Sequence, residues 1–249
     1  LLSEIETGFP IAVIDGTLCT QLRTAAVGCV AAKYLAPKKV ETVGFIGAGE
    51  EARMHFTLLK HLFPSIRTCK VASRHSATED RFIAEFDKII PDVHFIACRG
   101  DNSQAVADTD IIVTAISGQA PVLKARDVRA GMLYIHVGGW EDEYGVALKA
   151  DKIVCDDWNA SKHRTQTICR MYKEGLLKDK DIYADLAEII AGQKKGRESD
   201  EEFIYFNSVG LSYIDLNFAH EIYREASLLG LGRDIVLAES DRVDYRCFI

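Results

Sequence analysis

The chain has 249 residues, 48% hydrophobic and 27% charged, an ordinary globular composition with material for a sizeable core. Thirty basic residues against 37 acidic ones leave a formal charge of −7 with no basic run, which argues against nucleic acid as a partner. No apolar run reaches bilayer length and no signal peptide is visible, so the expectation is a cytoplasmic chain with no membrane partner.

In chain order, "LLSEIETGFPIAVID" reads as two β segments around the turn Glu6-Thr7-Gly8. A two-stranded ribbon is marginal alone, so it is expected to join a larger sheet and to belong to a domain the sequence enters part-way. Thr17 to Ala36, rich in alanine and leucine, predicts a helix closed by Pro37. Strands and helices then alternate. "ETVGFIG" is β, 50–62 is α, "TCKVAS" is β and 78–90 is α, ended by Pro91. "HFIAC" is β, 103–107 a short helix, and "DIIVTAI", "MLYIHVGG" and "DKIVCDD" are further strands. Short Val/Ile-rich strands alternating with helices predict an α/β fold, a doubly wound parallel sheet covered on both faces. Beyond it, 158–174 and 183–191 read as helices, "GQKKGRESDEE" as a charged loop, "FIYFNS" as a strand and 211–229 as a long amphipathic helix. The tail 239–249 shows no periodicity. Seven cysteines (Cys19, Cys29, Cys69, Cys98, Cys155, Cys169, Cys247) without a CxxC pair read as reduced thiols, and histidines without HxxxH or HExxH spacing predict no metal site.

The strongest chemical signal is Gly47-Ala48-Gly49-Glu50-Glu51-Ala52, a G-x-G-x-x-[GA] turn with a strand before it and a helix after it. Gly47 makes the tight turn, Gly49 lets backbone N–H groups approach a pyrophosphate, and Ala52 lets helix pack on strand. The helix N-terminus supplies positive dipole to the anion. A plain strand-to-helix turn is the bland reading. The context of flanking βα units favours dinucleotide binding. A binder of NAD(H) usually ends its second strand with an acid for the ribose 2′-OH; here that end holds Ser73, Arg74 and His75. Arg74 can pair with a 2′-phosphate, which places NADP(H) ahead of NAD(H), against the alternative of an ordinary loop arginine.

"QLRTAAVGCVAAKYLA", "GAGEEA", "VTAISGQAPVL", "ADKIVCDDW" and "NSVGLSYIDL" occur in that order and together resemble the ornithine cyclodeaminase/μ-crystallin family over nearly the whole chain. "DDW" and the "KGRESDEE…NSVGLSYID" region look most like the branch with the diaminopropionate-forming amino-acid dehydrogenases. The resemblance implies a Rossmann domain at 37–210. It also implies the end of a substrate-binding and dimerisation domain with a connecting helix at 1–36, and a last helix and tail at 211–249 returning to that domain. A homodimer is implied with it. Residue by residue, Arg23 matches the arginine holding a substrate α-carboxylate, and Thr24 looks like a cofactor-phosphate contact. Thr114, Ala115 and Ile116 match a strand end under the cofactor, Val137 and Gly138 lie near the nicotinamide, and Ser208, Val209 and Gly210 match the segment that closes over it.

One departure bears on chemistry. The family's cyclodeaminases carry Gly-Gly-Asp where this chain reads Gly138-Gly139-Trp140, followed by Glu141 and Asp142. Trp140 cannot accept a proton, so Glu141 or Asp142 substitutes as the catalytic carboxylate, or both lie in a solvated loop and that chemistry is absent. Asp156 and Asp157, adjacent on a strand end, point oppositely and do not form a dyad. His136 reads as a satisfied core histidine rather than a group facing the cleft. Three functions follow: an NAD(P)-dependent oxidoreductase on the C–N bond of an amino or imino acid, a cyclodeaminase-type lyase using bound NAD, or a non-catalytic dinucleotide-binding protein. Net cofactor oxidation separates the first from the other two.

Overall fold

The computed structural model describes residues 1–237; the tail 239–249 and its Cys247 lie outside the described residues. Two compact units divide the chain, one spanning 16–215 and the other 1–15 with the residues from 216 on. In the smaller unit β1 (Leu2–Ser3) and β2 (Pro10–Ala12) pair antiparallel around the Gly8 turn, where φ is +71°. Among the described residues they form a two-stranded sheet of their own, separate from the eight-stranded one. The strands are shorter than the pattern suggested, because Pro10 gives no N–H to a ladder.

The larger unit opens with α1 (Gly16–Leu35), whose small residues let it pack against α2 (Glu50–Leu62), which follows β3 (Thr42–Ile46). Then come β4 (Thr68–Ala72), α3 (Ser76–Phe86), β5 (His94–Ala97), α4 (Asn102–Val106), β6 (Ile111–Thr114), β7 (Leu133–His136), α5 (Tyr144–Leu148) and β8 (Lys152–Cys155). The segment read as one helix at 158–174 is two, α6 (Trp158–Ser161) and α7 (Thr167–Lys173). The restart at Gln166 places the Thr167 hydroxyl on buried Asp142 at 2.6 Å. The stretch read as a helix at 183–191 begins instead with β9 (Ala184–Asp185) before α8 (Leu186–Ile190). β10 (Ile204–Asn207) precedes α9 (Ser212–Leu228).

Eight strands make one parallel sheet in the order β5-β4-β3-β6-β7-β10-β8-β9. The chain moves outward from β3 to β4 and β5, then returns to the other side of β3 with β6. The crevice beyond the carboxyl ends of β3 and β6 is therefore a topological switch point, the place where such sheets take ligands. Helices cover both faces. Phe45, Phe56, Phe82 and Phe86 form an aromatic cluster on one side, and Tyr134 and Tyr205 stack edge-to-face on the other. The charged loop 192–202 contributes Arg197, which donates to the carbonyls of Leu35, Met132 and Glu202 and ties α1 to the sheet. Six cysteines are free and buried, as small hydrophobes are. Among the described residues no helix is long and apolar enough to cross a membrane.

Candidate functional site

A cleft of about 440 Å³ opens at the switch point. Gly47 opens the turn behind it with φ +109°, a conformation L side chains rarely adopt, and a Cβ there would overlap the Ala115 carbonyl oxygen. The β3–α2 turn is thereby pressed against the end of β6. Gly49 differs: it is the extended N-cap of α2, and a Cβ there would meet nothing within 4 Å. Its freedom serves whatever approaches from outside. No side chain caps α2, so its first backbone N–H groups are left for an anion. These features fit a dinucleotide pyrophosphate.

The other walls are Ala115 and Ile116 after β6, Val137 and Gly138 after β7, Ser208 to Gly210 after β10, and Arg23 with Thr24 from α1. Glu50 and Glu51 come from the first turn of α2. The remaining predicted contacts lie elsewhere. Ala48 is packed in the core, and Thr114 is fully buried with its hydroxyl shared between Tyr134 (2.8 Å) and Glu141 (2.7 Å). Ser73, Arg74 and His75 stand at the neighbouring end of β4, outside the cleft proper, with Arg74 and His75 exposed and in contact at 3.2 Å.

Glu141 and Asp142 correct the sequence reading. They are neither a solvated loop nor groups that reach the cleft; both are fully buried. Glu141 accepts from the backbone N–H of Ile116 (2.6 Å), the N–H of Gly138 (2.9 Å) and the Thr114 hydroxyl. Its carboxylate staples together the two strand ends that wall the cleft. Asp142 accepts from Thr167, Tyr205 (3.1 Å) and Tyr134 (3.3 Å) through one oxygen, while the other has no partner. Burial pushes its carboxyl up to about 6, with nearby His136 pulling the other way. His136 is buried as expected but not satisfied: neither ring nitrogen has a hydrogen-bond partner, and Nε2 lies 3.6 Å from Asp142. Trp140, where the family's aspartate was sought, stacks its ring under the Arg170 guanidinium at 4.7 Å.

Three further groups carry the site without having been singled out for it. Glu79 on α3, fully buried, accepts the N–H groups of Ser73 (2.7 Å), Arg99 (2.8 Å) and Gly100 (2.9 Å). Asp156, read only as a non-dyad, accepts those of Val209 (2.7 Å) and Gly210 (3.0 Å) and so fixes the segment after β10; Asp157 turns away to cap α6 at Ala160. Gly210, at φ +83°, leaves room for the Arg23 guanidinium, whose Nη1 would stand 2.7 Å from any Cβ there. Asp215 then holds Arg23 Nε at 2.7 Å. With Nε occupied, the two terminal nitrogens of Arg23 form the fork that a carboxylate can take. No local signal marks Asp215, which lies 192 residues from its partner.

The ornithine cyclodeaminase/mu-crystallin family model matches residues 1–228. The chain is 29% identical over 237 residues to an N-((2S)-2-amino-2-carboxyethyl)-L-glutamate dehydrogenase of Staphylococcus aureus, covering 95% of this chain and 70% of that protein. It is 31% identical, with a TM-score of 0.87, to the structure of Thermococcus litoralis Δ1-pyrroline-2-carboxylate reductase in complex with NADH and L-proline; the match covers 94% of this chain and 72% of that one. An archaeal alanine dehydrogenase, solved as a dimer with bound NAD, is 32% identical at a TM-score of 0.86, covering 95% and 73%. These relatives are dehydrogenases and reductases of amino and imino acids. The chain belongs to the ornithine cyclodeaminase/mu-crystallin family.

Proposed function

We propose that the chain is an NAD(P)-dependent oxidoreductase acting on the C–N bond of a small amino or imino acid. The observation that carries this reading is Arg23: its guanidinium faces the same cleft as the glycine turn, braced by Asp215 and Gly210, with a carboxylate-binding fork free. The N-terminus of α2 and the Gly49 backbone would hold the pyrophosphate, and the stapled ends of β6 and β7, with Ser208 to Gly210, would hold the nicotinamide portion. When bound, the dinucleotide supplies or accepts the hydride. Arg23 orients the substrate by its carboxylate so that the carbon bearing nitrogen is presented to the cleft, a positioning role.

For the cofactor we favour NADP(H). Glu79, the acid nearest the end of β4, has its carboxylate consumed by three backbone N–H groups and buried, so it offers nothing to a ribose hydroxyl. Arg74 and His75 are exposed beside it. The homodimer implied by the family is part of the same reading, and light scattering on the purified chain tests it. The function is tested by mixing the chain with Δ1-pyrroline-2-carboxylate and NADPH or NADH and following loss of reduced-nicotinamide absorbance. Net cofactor oxidation is the expected result. Ammonia release from a diamino acid without net oxidation would overturn it in favour of a lyase.

A further inference from the structure

An arginine that takes a substrate carboxylate must be kept from the acids of its own chain, and two such acids interact with Arg23. Asp215, in the first turn of α9, accepts from Arg23 Nε at 2.7 Å, an edge that leaves the Nη1–Nη2 fork open. Glu51, in the first turn of α2, lines the same cleft, and the Arg23 charge acts on it. Its side chain is half-buried, and Oε2 is shut from water without a hydrogen-bond partner among the described residues. A guanidinium would satisfy that oxygen. Arg53, on the same helix, is already paired with Glu50 at 2.6 Å and Glu85 at 3.1 Å.

The segment after β10 holds Arg23 on the Asp215 side. Asp156 fixes its start by accepting from Val209 and Gly210. Gly210 has no Cβ, and the guanidinium fills the space one would take. Five residues on, Asp215 closes the grip, and the Arg23 side chain is left only 13% exposed. Resting on the oxidoreductase reading for the carboxylate that Arg23 takes, we propose that Asp215 is a positioning residue that keeps Arg23 out of an ion pair with Glu51. Without the Asp215 carboxylate the guanidinium turns to Glu51, and the chain's own acid occupies the fork.

The electrostatics favour the pose seen. Burial lifts the Glu51 carboxyl to about 7, with Arg23 opposing, so at neutral pH a share of Glu51 is uncharged and competes weakly for the cation. Asp215 is 40% exposed and keeps part of its hydration while it pairs.

The variants D215A, D215N, E51Q and D215A/E51Q test this, each D215A effect being measured within its own Glu51 background. The first readout is calorimetric affinity of the NADP⁺-loaded chain for L-proline, the product expected from Δ1-pyrroline-2-carboxylate. D215A should weaken it by about tenfold or more, and D215N, which keeps an acceptor for Nε, should recover part of the loss. In the E51Q background D215A should cost about threefold or less, because the competing acid is gone. The same loss in both backgrounds overturns the proposal, since a purely structural brace would behave that way. The second readout needs no ligand. Infrared differences between wild type and E51Q, and between D215A and D215A/E51Q, isolate the Glu51 carboxyl. Its midpoint, near 7 in wild type, should fall by about one pH unit or more in D215A as the guanidinium pairs with it. An unmoved midpoint overturns the proposal. A wild-type chain that binds no L-proline and turns over no imino acid removes the oxidoreductase reading, while the Glu51 midpoint still decides whether Asp215 governs Arg23.

Discussion

Two carboxylates do similar work at two ends of the crevice, and their differences are instructive. Glu79 gathers the loops after β4 and β5, and Glu141 gathers those after β6 and β7; each is fully buried and takes three donors. Around Glu79 the side chains of Arg74, His75 and Arg99 turn outward to solvent, so what is held in place is two exposed arginines and a histidine. Behind Glu141 lies a second buried layer of Asp142, His136, Tyr134, Tyr205 and Thr167, and what is held is bare backbone at Ile116 and Gly138. One edge presents charge at the surface. The other presents main chain, held from behind by a buried polar network.

The largest effect that can break this comparison is Glu141→Ala. It strands the buried Thr114 hydroxyl and two backbone N–H groups of the cleft wall, and a loss of about 3–5 kcal/mol of stability by denaturant unfolding is expected. Glu79→Ala should cost less, about 2–3 kcal/mol, because its three donors are part-buried backbone N–H groups, without the fully buried hydroxyl that Glu141 also holds. Equal or reversed losses would mean the second layer adds nothing to Glu141.

Asp142→Asn sharpens the contrast through pH. Burial raises the folded carboxyl to about 6 from an ordinary value of 3.8, so its contribution is full below about 3.8 and is lost as pH rises through about 6. The asparagine variant should therefore melt with a shallower decline between pH 4 and 7 and hold a relative advantage at pH 8. His55 works oppositely: lowered to about 4 by burial, it contributes fully above about 6.5 and ever less as pH falls toward 4. Any net acid-side loss that persists in the Asp142 variant is assigned by repeating the melts with His55→Gln.

The smallest effect concerns the exposed edge. Arg74→Ala should leave the melting temperature unchanged and weaken NADPH binding about tenfold by calorimetry, with NADH affinity altered little. Equal effects on both cofactors would make Arg74 a general phosphate contact and undo the specificity reading.

Much of this was open to a reader of the sequence. The alternation of Val/Ile-rich segments with helical stretches, the order of elements and the roles of Gly47 and Ala52 follow from hydrophobic period and from the backbone freedom one position needs. These are properties of neighbouring residues, and neighbours in sequence suffice to read them. Misreadings fell where a long-range partner bears on the outcome, as at Thr167, which bonds distant Asp142 from the start of the second of two helices where local propensity predicts one. The same holds for Glu141, Asp142, Glu79 and Asp156. As letters they are solvated acids, and only the packing of distant loops over them makes three into staples for strand ends and leaves Asp142 half-satisfied. Arg23 was found through resemblance, but its brace, Asp215, comes from the far end of the larger unit. Local periodicity was enough to specify the sheet and its glycine turn. Which charges are buried and what they hold depended on contacts that exist only once the chain has closed on itself.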